Sequence, residues 1–111
     1  GYLLVYLSDD GLVAWQVALT SGINGGYVVV PKSDSLPLGA YWKGVLRLYR
    51  NETLIDALAF GDADPVWGEG PVATELPIDG TLARRPDGFD TDLNALDFEV
   101  TATPSPGAAN P

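Results

Sequence analysis

The chain has 111 residues, 15 of them acidic and 6 basic, for a formal charge of -9, and contains neither cysteine nor histidine. That length sets one domain able to bury roughly 65% of its unfolded surface. The missing cysteines exclude disulfides, thiolate metal sites and thiol nucleophiles, and the missing histidines remove the usual general base near neutrality. The negative field argues against nucleic acid or an anionic lipid surface as partner, and no apolar run approaches the ~18–20 residues that span a bilayer.

Gly1 leads straight into Tyr2–Leu7 (YLLVYL) with no basic segment before it, as expected of a mature or trimmed start. Tyr2–Leu7 is apolar throughout, the pattern of a strand covered on both faces. Ser8-Asp9-Asp10-Gly11 predicts a turn with Gly11 at positive φ, and Leu12–Leu19 (LVAWQVAL) its hairpin partner. Tyr27–Val30 reads as a short strand closed by Pro31, and Lys32–Tyr41 as irregular chain broken by Pro37 and Gly39. Val45–Arg50 and Thr53–Phe60 flank a two-residue hairpin turn, Asn51-Glu52. A regular register opposes Arg50 to Thr53, Tyr49 to Leu54, Leu48 to Ile55 and Arg47 to Asp56, which predicts a cross-strand Arg47–Asp56 ion pair.

Gly61–Gly80 is a long connection with Trp67 as its anchor, and a connection of that length is either ordered by packing or functional. Asp97–Thr101 (DFEVT) alternates, so Phe98 and Val100 should point inward on the last strand. Pro104, Pro106 and Pro111 end the pairing and predict an extended tail over 104–111, after a domain spanning 1–103.

Several phrases in this order resemble the lamin-tail-domain family of bacterial secreted proteins. They are Gly25-Gly26-Tyr27-Val28-Val29-Val30, the hairpin Leu46–Tyr49 with Leu54–Gly61, Trp67–Gly70, the corner Leu82–Gly88, and the closing Thr103–Asn110. The resemblance implies an all-β, immunoglobulin-like β-sandwich of about seven strands with Greek-key character, at an extracellular or cell-surface location. Members of the family carry two further strands ahead of the segment matching Gly1–Leu7, and these 111 residues contain neither. One reading is a trimmed or rebuilt edge. The other is that a neighbouring copy supplies the strand, so that Tyr2, Leu4 and Tyr6 would receive it and the tail residues Pro104, Pro106 and Asn110 would reach another subunit.

Asp90-x-Asp92-x-Asn94, with Asp87 and Asp97 nearby, alternates hard oxygen ligands as a Ca²⁺-binding loop does. Ala95 stands where such a loop needs glycine, and Asx-turns explain the same residues without metal. Asn51-Glu52-Thr53 is an N-x-Thr glycosylation sequon on a predicted exposed turn. Arg84-Arg85 offers charge for an anionic partner or for local pairing with Asp79, Asp87 or Asp90. Trp15, Trp42 and Trp67, with Tyr27, Tyr41 and Tyr49, are either core or a sugar-stacking platform. Asp62 with Asp64, and Asp56 with Glu52, are paired carboxylates, yet a small sandwich has little cleft for glycosidase chemistry. Five serines without a histidine give no conventional triad. The sequence therefore points to a non-enzyme that assembles with copies of itself. The alternative is an accessory domain that binds carbohydrate or a cell surface, stabilised by calcium.

Overall fold

In the computed structural model, the described residues are 1–8, 11–19, 28–30, 43–77, 80–84, 88, 90–106 and 108–110. They form an all-β fold with two antiparallel sheets. Strands β1 (Tyr2–Leu7), β2 (Val13–Leu19), β3 (Lys43–Arg50) and β4 (Thr53–Gly61) make the first sheet, in the order β2-β1-β3-β4. Strands β5 (Thr81–Arg84) and β6 (Phe98–Thr101) make the second. A 3-10 turn at Pro65–Trp67 follows β4, and a single helical turn, α1 (Asn94–Asp97), precedes β6.

The first hairpin forms as the sequence dictates. Gly11 takes φ 80°, the Gly11 amide donates to the Ser8 carbonyl at 3.0 Å, and β2 returns antiparallel to β1. The expectation that β1 has an open neighbour is overturned. β1 pairs with β2 on one side and with β3 on the other, so both of its backbone rows are filled by its own chain. Tyr2, Leu4 and Tyr6 are mid-sheet side chains: the Tyr6 ring stacks on Trp15 at 5.4 Å, and Tyr2 lies under the Arg50 guanidinium at 5.5 Å.

The β3–β4 hairpin turns at Asn51 and Glu52, whose φ angles of 50° and 69° are those of a type I′ turn. The expected register holds for Arg50↔Thr53 and Tyr49↔Leu54, then breaks. Ile55 is an extra residue, and beyond it Leu48 opposes Asp56 and Arg47 opposes Ala57. The Arg47–Asp56 pair is therefore not made. Arg47 donates instead to the Trp67 carbonyl at 3.1 Å and to the Tyr49 hydroxyl at 2.9 Å.

One face of the sheet carries the core cluster Val5, Leu7, Val45 and Ala59, against which Leu3, Tyr49, Ala63, Trp67 and Val72 pack. Trp67 anchors the long connection as expected, in contact with this cluster and with Arg47. Burying these side chains supplies the main drive to fold, at roughly 25 cal/mol per Å² of apolar surface. Val28–Val30 takes no strand conformation, Tyr27 and Pro31 lie outside the described residues, and Val29 is exposed. On β6, Phe98 is half-buried but Val100 points outward, and Thr101 takes the buried place. Near the C-terminal end, Asn110 donates to the Arg84 carbonyl at 2.7 Å and accepts from the Ser105 hydroxyl at 3.0 Å, which holds Asn110 against β5, with Pro104 and Pro106 left exposed. No helix among the described residues is long and apolar enough to cross a membrane.

Candidate functional site: two strand edges and a carboxyl cluster

A four-stranded sheet ends in two rows of backbone donors and acceptors, and here the two are treated differently. The outer row of β4 is capped over five groups. The Asn94 side-chain amide donates to the Ala57 carbonyl at 2.8 Å, and its oxygen accepts from the Ala59 amide at 2.9 Å. Next along the strand, the Ala73 amide donates to the Ala59 carbonyl at 2.9 Å and the Gly61 amide to the Ala73 carbonyl at 2.8 Å. The Ala57 amide turns to the Asp56 carboxylate at 2.9 Å. Asn94 thus acts as a one-residue strand, because a primary amide carries the same donor and acceptor as a peptide group.

Local sequence explains how Asn94 reaches that position. Asp64 caps the 3-10 turn by accepting from the Val66 amide at 3.0 Å, and Pro65 opens it. Gly68 then lets the chain pass against β4, since a Cβ there would lie 2.5 Å from the Ala59 Cβ and 2.6 Å from the Asn94 oxygen. The next residue, Glu69, pairs with Asn94 twice: its amide donates to the Asn94 side-chain oxygen at 2.9 Å, and its carbonyl accepts from the Asn94 amide at 2.8 Å.

The outer side of β2 is different. Among the described residues no strand pairs there. The strand, VAWQVAL, has no charge and no proline, and Val13 is 55% exposed. Beside it, Leu3, Val5, Leu7 and Val13, together with the charged Arg47 and Glu52, line a groove of about 410 Å³ on the sheet face.

Of the residues proposed as a calcium loop, the structure spends two on the protein itself. Asn94 is saturated by β4 and Glu69. Asp97, fully buried, accepts from the Thr91 hydroxyl at 2.7 Å, the Thr91 amide at 2.8 Å and the Leu93 amide at 3.3 Å. Burial alone would raise the Asp97 carboxyl, but the Thr91 and Leu93 donors, with Arg84 nearby, outweigh it and hold the group below the ordinary carboxylate range. Asp90 accepts from the Asp92 amide at 3.0 Å, the Asx-turn alternative. Asp87 lies outside the described residues.

A different cluster forms instead. Carboxylate oxygens of Asp56, Glu69 and Asp90 lie within 4.8 Å of one another. Arg84 supplies the positive charge there, 2.7 Å from Asp56, 3.5 Å from Asp90 and 3.6 Å from Asp97, over the Phe98 ring at 4.5 Å. The expected pairing of Arg84 with Asp90 is present, and Asp56 is the closer partner. Arg85, Asp79 and Asp87 fall outside the described residues. Glu69 is pushed up to about 8 by burial, by hydrogen bonds to Asp56 and Asp92, and by the charges of Asp56 and Asp90.

The remaining candidates are scattered. Asn51 is exposed at the hairpin tip, where a sequon is accessible. Trp15 stacks on Tyr6 on one face of the sheet, whereas Trp67 and Tyr49 flank Arg47 on the other, so these three rings share no platform; Trp42, Tyr27 and Tyr41 are outside the described residues. Asp64 is spent as a cap, Asp62 is exposed, and Asp56 faces Arg84 rather than Glu52. No protein-family model, no curated protein and no solved structure matches this chain.

Proposed function

We propose that the chain is a non-catalytic, extracellular structural module that assembles with copies of itself by strand addition at β2. In this reading its two antiparallel sheets are the described part of a lamin-tail-like, immunoglobulin-like sandwich. The observation that carries the proposal is the outer edge of β2, where no strand pairs among the described residues and where the extra residue at Ala14 is the one irregularity of the ladder to β1. Natural edge strands are protected by charge, proline, a bulge or a cover, and β2 has neither charge nor proline. A chain of charge -9 meets a second copy of itself most easily where it is neutral, and Leu12–Leu19 is a strip of eight residues without charge. Antiparallel β2–β2 pairing is isologous, so it closes at two copies while the β4 edge stays capped.

Sedimentation velocity over a micromolar concentration series tests this. Wild type should show a reversible dimer, and the double variant Gln16→Lys, Ala18→Lys should run as a monomer with an unchanged melting temperature. A wild-type chain that stays monomeric throughout the series removes the proposal.

A further inference from the structure

Glu69 stands at the meeting point of three segments. Its backbone holds Asn94, Asn94 holds the edge of β4, and its carboxyl reaches towards Asp56 on β4 and towards Asp90 and Asp92 on the segment before α1. Its Oε1 is buried and has no hydrogen-bond partner as an acceptor. The groups that converge on it are themselves carboxyls, and two carboxylates cannot bond without a proton between them. Arg84, the described cation in this cluster, is already shared by Asp56, Asp90 and Asp97.

We propose that Glu69 is a proton-held latch on the β4 edge: its protonated carboxyl donates to Asp56 and keeps Asn94 seated, and loss of that proton releases the cap. The charges facing it are Asp56 from β4, Asp90 and Asp92 from the segment before α1, and Arg84 from β5. Ionised Glu69 would add a fourth negative charge beside that one guanidinium, and the relief available is for the turn carrying Glu69 to move off β4 and take its two bonds to Asn94 with it. The sign follows from the raised affinity for the proton. Below about pH 4.5 the latch contributes fully, and its contribution is lost as pH rises through about 8. The chain has no histidine and no cysteine, the side chains that ordinarily titrate in or near that window.

The latch has a consequence for assembly that rests on the strand-addition reading. With β4 capped, β2–β2 pairing closes; release of Asn94 frees the Ala57 carbonyl and the Ala59 amide, and where the Ala73 bridge to Ala59 and Gly61 also gives way, β2 of one copy can add to β4 of the next, a head-to-tail contact that continues.

The test reads the latch and the assembly separately. Carboxyl ¹³C NMR of the full chain should show Glu69 titrating near pH 8, and exchange of the Ala59 amide, corrected for its intrinsic pH dependence, should accelerate roughly tenfold or more between pH 6 and pH 9. Glu69→Gln, neutral and still a donor, should abolish that acceleration, whereas Glu75→Gln at an exposed site should leave it intact. A Glu69 carboxyl that titrates in the ordinary carboxylate range overturns the latch even if Glu69→Gln fails to fold. A normal latch with no change in sedimentation between the two pH values overturns only the assembly step.

Discussion

The two rims of the main sheet solve the same problem in opposite ways. On β4, backbone groups from Ala57 to Gly61 are answered by Asn94, Ala73 and the Asp56 carboxylate, and the strand passes against small residues and a glycine that let the covering chain approach. On β2, the described residues provide no cover and the strand carries no charge to repel one. The edge strands themselves, VAWQVAL and TLIDALAFG, are both mostly apolar, so hydrophobicity does not distinguish the edges. What distinguishes them is whether a polar group is spent on the backbone. The lesson is that an edge is read from its hydrogen-bond accounts rather than from its side-chain composition.

The comparison breaks hardest at Asn94. Asn94→Leu orphans the buried Ala57 carbonyl and Ala59 amide and the part-buried Glu69 amide, which should cost about 3 kcal/mol or more in urea unfolding at ~1–3 kcal/mol per unsatisfied group. Gly68→Ala drives a Cβ into Ala59 and Asn94 and should cost about 1–3 kcal/mol, with faster exchange at the Ala59 amide. Arg84→Met leaves Asp97 buried without its cation. Asp56 and Asp90 are about a third exposed, so we expect only about 2 kcal/mol, at the low side of buried-pair losses. The same variant sharpens the acid limb. Asp97 is held low in the folded state, so its contribution is present above the ordinary carboxylate pKa and is lost as pH falls through the folded value. Raising that folded value should move acid unfolding, followed by circular dichroism, to higher pH. The smallest stability effect belongs to β2, where Gln16→Lys with Ala18→Lys should stay within ~0.5 kcal/mol of wild type and change only association.

Much of the main sheet was legible in the residues. Apolar Tyr2–Leu7, the turn ending in Gly11 and the Asn51-Glu52 hairpin each carry their own instruction at short range. The bulge at Ile55 was not legible, because no local signal requires it. With the bulge in place Asp56 meets Arg84, 28 residues away, instead of Arg47. β5 is four residues long and adjoins the Arg84–Gly88 corner, too short for a period to show. α1 is one turn inside an acidic run, where Asp and Asn read equally well as ligands, turn residues or caps. Asn94 was noticed for its oxygen, and its amide proved as important. The signal that could have exposed its role lies on its partner: Gly68 and Gly70 flank Glu69, a spacing that lets backbone come close to something.

The extra residue at Ile55 makes the frame of the β3–β4 hairpin depend on chain that is synthesised later. A nascent segment ending before β5 has turn and strands but no Arg84, and its simplest ladder is the unbulged one that sets Arg47 against Asp56. That frame and the one in the folded protein differ by one position beyond Leu54, which turns every following β4 side chain to the opposite face. A hairpin cut out of the protein is therefore a poor guide to the one inside it.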